Sequence, residues 1–189
     1  MLNIHTHTIP TDPSERFVLS CDIGGVPSSV ACCSVGLHPW QVDEDWKARI
    51  HQLRHDVLLP NVVAIGECGL DALRGGAADL QVEAFSAQIE LAEECHKPLI
   101  IHCVRCFDTL IQLHKKYNPQ ELWIVHGFRG KPQLALQLAK LGMRLSFGLN
   151  FNPDTLKAIA SAGKPYFLET DDSGASLQDV MEAVGKCLG

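Results

Sequence analysis

No stretch of the 189-residue chain approaches the roughly 18 consecutive apolar residues that a membrane span needs. A basic region leading into an apolar core is missing from the first residues as well, so a cytoplasmic protein is expected. Positive charge is scarce: 16 Lys and Arg face 22 Asp and Glu, a formal charge of −6 with histidine neutral. That balance argues against broad electrostatic adhesion to nucleic acid or to an anionic membrane. A phosphate held locally remains compatible, because bound divalent cations turn an acidic site electropositive. The chain also lacks a nucleophile elbow, a phosphate-cradling Gly-rich loop and a dinucleotide fingerprint, and so lacks support for the chemistries they serve. Cysteine, by contrast, is plentiful, with eight residues. Cys32, Cys33, Cys68 and Cys103 lie in strand-like apolar runs, where a free thiol packs as a small hydrophobe. Without a secretory signal, reduced thiols are expected. Cys103-Val-Arg-Cys106 matches C-x-x-C, but no second pair stands at zinc-ribbon spacing.

With 46% hydrophobic and 20% charged residues, the composition is that of an ordinary globular protein. The length suits one substantial core and is short for two, so residues 1–189 read as a single domain. From the middle onward the pattern is regular. "NVVAIGE" (61–67) is a short β-branched run, and residues 79–95 follow with helical spacing at Val82, Phe85, Ile89 and Ala92. "PLIIHC" (98–103), "LWIVH" (122–126), "MRLSFG" (143–148) and "PYFLET" (165–170) repeat the theme, each followed by an amphipathic helix. Ser176 and Asp179 stand at capping-box spacing before the last of these. Short strands buried on both faces and alternating with helices indicate a parallel sheet. The front is less complete. "LNIH" (2–5), "RFVLSCDIG" (16–24) and "SSVACCSVGL" (28–37) read as strands without room for full helices between them, and a helix on Val42, Trp46, Ile50, Leu53 and Val57 follows. The expected fold is α/β, a distorted TIM-like (β/α)8 barrel lacking one or two outer helices.

The ionisable residues fall in a pattern of their own. His5 and His7 end the first strand, Glu67 ends "VVAIGE", His102 ends "PLIIH", His126 ends "LWIVH", and Asp171 follows "YFLET". A parallel barrel gathers such strand ends at one mouth, where barrel active sites are built. A carboxylate at the end of a buried strand needs a partner. Histidine with carboxylate suits zinc or manganese, with magnesium possible on the carboxylates. Six ligands exceed what one four-coordinate ion needs, so two divalent ions are expected, a pair able to activate water and stabilise a leaving oxygen. His51, His55, His96 and His114 lie on helices and are read as packing or surface residues.

In these segments the sequence resembles the TatD family of metal-dependent deoxyribonucleases, among the amidohydrolase-like barrels. The resemblance runs through "HTH" (5–7), "GLHPW" (36–40), "AIGECGLD" (64–71), "QVEAFSAQIELAEECHKPLIIHC" (81–103), "VHGFRG" (125–130) and "LETDDS" (168–173). It implies a distorted (β/α)8 barrel that hydrolyses phosphodiester bonds, with DNA or a small phosphate ester as substrate. It further implies that His5, His7, Glu67 and Asp171 hold one ion, and that Glu67 bridges to a second held by His102 and His126. Glu67 and Asp171 are the expected catalytic residues, Asp171 also taking the proton of the attacking water. His38 and Asp71 would line the same mouth. Arg105, Arg129 and Lys131, each just past a ligand-bearing strand, are candidates to grip phosphate. Trp40 is expected to pack on its own helix, with stacking on a base as the alternative.

The chain departs from the family pattern in several places. Asn3 stands where an aspartate is usual two residues before the first histidine, which is expected to loosen support of the ligands, so that Asn3→Asp should tighten metal binding. Gly127 and Arg129 replace the usual Cys and Ser, and Val104 and Arg105 replace a basic–acidic pair. Two other readings stand beside a nuclease. An amidase or lactonase of the wider class usually has a carbamylated lysine where this chain has Glu67. A metal-binding homologue without nuclease activity would keep the ligands and lose the substrate wall.

Overall fold

The computed structural model describes all residues, Met1–Gly189. Eight strands are joined in sequential order into a closed barrel: β1 (Leu2–Thr6), β2 (Arg16–Cys21), β3 (Cys33–Val35), β4 (Val62–Asp71), β5 (Leu99–Val104), β6 (Trp123–Val125), β7 (Arg144–Phe147) and β8 (Tyr166–Leu168). Six helices connect or follow them: α1 (Trp46–Asp56), α2 (Ala78–Cys95), α3 (Phe107–Tyr117), α4 (Pro132–Lys140), α5 (Pro153–Ser161) and α6 (Leu177–Leu188). No helix separates β1 from β2 or β2 from β3, so the two outer helices missing from a full (β/α)8 pattern are both at the front. No helix is long and apolar enough to cross a membrane.

By its contacts the chain divides into two compact units. The first comprises Met1–Leu19 and Ile124–Gly189. In it β1 pairs with β8 and with the start of β2, and β7 pairs with β6 and β8, all parallel. Its core is built from Ile4, Val18, Leu145, Phe147, Leu156, Ile159, Leu168 and Val180. The capping box expected before α6 is present, with Ser176 and Asp179 exchanging side-chain and backbone hydrogen bonds.

The second unit, Ser20–Trp123, is organised by β4 and α2. The strand is longer than "NVVAIGE" suggested and runs on to Asp71, so Glu67 sits inside it rather than at its end. The pairing of β4 with β5 advances three residues on β4 against two on β5 between Ile65↔Leu99 and Cys68↔Ile101, a bulge that contains Gly66 and Glu67. The glycines let the strands approach this closely. A Cβ at Gly66 would run into the Ile100 carbonyl, one at Gly69 into the His102 carbonyl, and both residues have positive φ.

Helix α2 differs from its expected apolar face. Phe85, Ile89 and Ala92 are buried as the spacing predicts, while Val82 is only half-buried. Two glutamines are buried on the same side. Gln81 accepts from the Asp71 amide at 2.8 Å and donates to the carbonyls of Asp71 and Gly76 at 3.1 and 2.8 Å. Gln88 accepts from the Leu37 amide at 2.7 Å and donates to the Leu37 carbonyl at 3.1 Å. Seven residues apart is two helical turns, so one face of α2 grips the end of β4 and the segment after β3. Apolar periodicity skips polar side chains and does not register them.

All eight cysteines are free thiols. Burial, with the nearby Cys106, pushes the Cys103 thiol up to about 12, away from the thiolate that a metal or redox partner uses.

Gln88→Ala leaves the Leu37 amide and carbonyl without their side-chain partner. It should cost roughly 2–4 kcal/mol in urea denaturation, against less than about 0.5 kcal/mol for exposed Glu83→Ala. Equal effects would show that the Gln88 contacts do not hold the segment.

Candidate metal centre

The first unit carries a cluster built on β1 and the residues after β8. Their backbones are laced together: the amides of Thr170 and Asp171 donate to the His5 carbonyl at 3.3 and 3.1 Å, and the His7 amide donates to the Asp171 carbonyl at 3.2 Å. Asp171 takes a positive φ of 53° there. Its Oδ1 lies 3.5 Å from Nε2 of His5 and 3.5 Å from Nε2 of His7. Such separations are too long for N–H···O hydrogen bonds. Two ligands about 2.0–2.2 Å from one tetrahedral ion stand roughly 3.3–3.6 Å apart. The donor set and its spacing therefore fit a divalent metal ion. His5 is fully buried, the His7 side chain is 42% exposed, and that of Asp171 is 26% exposed, so solvent reaches one side only.

The register of β1 explains how His5 is placed. Between Asn3↔Phe17 and Thr6↔Leu19 it also advances three residues against two, a bulge holding Ile4 and His5. The His5 ring packs edge-on to His7 at 4.9 Å and tilted against His126 at 4.4 Å. His126 lies at the end of β6, with its Nδ1 3.6 Å from Oε1 of Glu169. Glu169, two residues before Asp171, is a buried carboxylate that the strand-end pattern did not select. It directly follows β8, so the rule that marks carboxylates at the ends of buried strands is the signal that could have found it.

Asn3 is fully buried and does something other than support a histidine. Its amide nitrogen donates to Glu15 Oε1 and to Thr170 Oγ1, both at 2.9 Å, and its Oδ1 accepts from the Thr170 amide at 3.2 Å. The side chain ties β1 to the residue preceding Asp171, and an amide, unlike a carboxylate, supplies donor and acceptor together. An aspartate here would set a carboxylate against that of Glu15, a cost in stability that the expectation of tighter metal binding in Asn3→Asp leaves out.

The second unit carries a different cluster, centred on Glu67. The His38 Nδ1 accepts from the Trp40 amide at 3.2 Å, which puts the ring proton on Nε2, and this nitrogen donates to Glu67 Oε1 at 3.0 Å. His102 Nδ1 meets the same oxygen at 2.8 Å. Its Nε2 faces Asp71 Oδ2 at 3.1 Å. A ring that donates from Nε2 to Asp71 turns Nδ1 toward Glu67, where it can ligate a metal in the carboxylate–histidine arrangement of many metal sites. His38, Glu67 and His102 thus form a second candidate set, within which His38 positions the Glu67 carboxylate.

Asp71 is buried, holding His102 from below. Burial pushes its carboxyl up, but the Trp40 indole, the Leu73 amide and His102 outweigh it and keep the carboxyl below its ordinary value. The Trp40 indole donates to Asp71 at 2.7 Å, and the ring lies in the turn Pro39–Gln41 under the Arg74 guanidinium, 3.8 Å away. Trp40 is 44% exposed, so the expectation that it packs on its own helix does not hold. Arg105, Arg129 and Lys131 are all exposed. Arg129 lines a cleft with Gly127, Asn150, Phe151, Glu169 and Asp171.

Comparison with known proteins gives a consistent picture. A family model described as TatD related DNase matches residues 4–173. A 3'-5' ssDNA/RNA exonuclease TatD from Rahnella sp. (strain Y9602) is 38% identical over 120 residues, covering 62% of this chain and 43% of that protein. An uncharacterized metal-dependent hydrolase, YjjV, from Escherichia coli (strain K12) is 30% identical over 118 residues, covering 61% and 46%. These matches span less than half the length of the curated relatives. The crystal structure of YjjV, a TatD homologue from Escherichia coli K12, superposes with a TM-score of 0.73 at 23% identity, covering 90% of this chain and 78% of that one. A TatD-family hydrolase from Entamoeba histolytica gives 0.67 at 16% identity, covering 89% and 72%. At those identities the structural likeness shows the fold.

Asn3→Asp should lower stability at pH 7 by about 1–3 kcal/mol, a deficit that shrinks as acid protonates either carboxyl. Thermal unfolding at pH 7 and pH 4 measures it, and an unchanged or higher melting temperature at pH 7 would refute it. For Asp71 the sign is set by its lowered value: its contribution is present above the ordinary carboxyl value of about 3.9 and lost as pH falls through the depressed one. Trp40→Phe removes the strongest of the opposing hydrogen bonds. The Asp71 carboxyl should then titrate at higher pH by NMR, and acid unfolding should begin at higher pH than in the wild type.

Proposed function

The chain belongs to the TatD-related DNase family, and from that membership we propose that it is a divalent-metal-dependent hydrolase of phosphodiester bonds acting on single-stranded nucleic acid or a small phosphate ester. The observation that carries this reading is Asp171 Oδ1 lying 3.5 Å from both His5 Nε2 and His7 Nε2, the spacing of ligands around one ion. Two ions are part of the reading, because each compact unit has its own set of His and carboxylate atoms. Imidazole-rich sets favour zinc or manganese over magnesium. The relatives support the substrate class, since the Rahnella protein carries the name of an ssDNA/RNA exonuclease.

Divalent ions bound there would supply the positive charge that polarises a phosphoryl oxygen and acidifies water. The protein residues do the rest. His5, His7 and Asp171 would hold one ion, and Glu67 and His102 would hold another. His38 fixes the rotamer of Glu67 through its Nε2 proton, and Asp71 fixes the ring of His102. Asp171, partly exposed, takes the proton of the attacking water. Arg129, on the cleft that Asp171 lines, contacts the phosphate with a planar fork of donors. The chemistry is general acid–base work on water, and needs no nucleophilic side chain.

The test uses metal-free protein with labelled single-stranded DNA and bis-p-nitrophenyl phosphate, with zinc, manganese or magnesium added back. Cleavage should appear with metal and fall at least about a hundredfold in Glu67→Ala and in Asp171→Ala. Metal binding without turnover of either substrate would replace this reading with that of a metal-binding homologue. Turnover indifferent to metal would overturn it.

A further inference from the structure

Glu169 has no role in the reading above, yet it is 1% exposed, charged, and set among ligand-type side chains. Its two oxygens differ. Oε2 accepts a hydrogen bond from the hydroxyl of Ser146, itself fully buried. Oε1 is buried as well and makes no hydrogen bond. A carboxylate oxygen sealed from water without a partner carries a desolvation cost that folding does not recover, unless something fills the position.

The geometry restricts what that can be. An N–H···O bond spans about 2.7–3.2 Å, and His126 Nδ1 stands 3.6 Å from Oε1. This separation falls at the edge of the roughly 3.3–3.6 Å that separates two ligands of one tetrahedral ion. It also matches the 3.5 Å spacings of His5 and His7 to Asp171. Ligand atoms of His126, Glu169 and Asp171 all lie within 4.8 Å of one another. Ser146 holds the other oxygen, so the carboxylate cannot turn away, as hydrogen-bonded ligating carboxylates typically behave.

We propose that Glu169 is a metal ligand, completing with His126 and Asp171 a three-residue site for a divalent cation within the first unit. The proposal rests on the reading that the chain holds divalent ions. It adds a seventh ligand and makes Asp171 common to two sets, that of His5 and His7 and that of His126 and Glu169. Glu169 and Ser146 have distinct parts: the carboxylate coordinates, and the hydroxyl positions it.

Calorimetric titration of the metal-free full chain with zinc and with manganese tests this without reference to turnover. Glu169→Gln keeps the shape and removes the charge. It should weaken the ion at His126 and Asp171 at least tenfold, while His5→Ala weakens the ion shared by His7 and Asp171. The metal-free Glu169→Gln protein should unfold at a temperature no lower than the wild type, because Oε1 makes no hydrogen bond for the substitution to remove. A purely structural Glu169 gives the reverse, with metal affinity unchanged and the metal-free variant less stable, and that result overturns the proposal. If Glu169→Gln does not fold, Ser146→Ala decides: a weaker ion supports the proposal, and unaltered affinity sinks it. Wild-type protein that binds no divalent ion removes both this site and the proposed function. Wild-type binding with unaltered Glu169→Gln affinity removes the site alone.

Discussion

The pairing of Thr6 with Asp171 is the contact on which the first cluster depends. Three backbone hydrogen bonds fasten the end of β1 to the residues just past β8 and hold Asp171 in a left-handed conformation. That conformation costs an aspartate of the order of 1 kcal/mol, and the lacing on both sides of it fixes the residue there. With the backbone fixed, the carboxylate has few places to go, and His5 and His7 flank it at equal distance. Asn3 adds a side-chain tie to Thr170 on the same seam.

The second cluster is held differently, from behind. Helix α2 inserts Gln81 and Gln88 against the backbone of Asp71 and Leu37, the residues that lead to the Asp71 carboxylate and to His38. Glu67 projects from a bulge in β4, where Gly66 and Gly69 permit close strand contact. The result is a chain of polar contacts from Trp40 through Asp71 and His102 to Glu67 and His38. Each buried polar group in it has a partner, which is the condition for such a network to make the fold more specific rather than weaken it.

Both clusters place a proposed ligand in a register shift, His5 in β1 and Glu67 in β4. A bulge turns a side chain out of the regular alternation, so strict period-two reasoning locates such residues near the right face without fixing their aim. Reading strand ends from apolar runs placed Glu67 at a strand end, whereas β4 runs four residues further, to Asp71. It also lengthened the third strand, for which residues 28–37 were expected and only Cys33–Val35 pairs. Pairing depends on what lies alongside, and apolar content alone does not report it.

Much was legible beforehand for a plain reason. A strand buried on both faces must be apolar, so a histidine or carboxylate at its end stands out, and that contrast marked His5, His7, His102, His126 and Asp171 in the linear sequence. The alternation of such strands with amphipathic stripes determined the barrel, and the shortage of residues before the third strand determined that its helices are missing at the front. What only the tertiary structure decided are the partners of polar side chains. The partners of Gln81, Gln88, Asn3 and Glu169 leave no periodicity in the sequence, because a hydrogen bond or a ligand contact is specified by two atoms from distant parts of the chain. Sequence shows that a buried charge needs a partner; only the folded chain shows which group stands within reach.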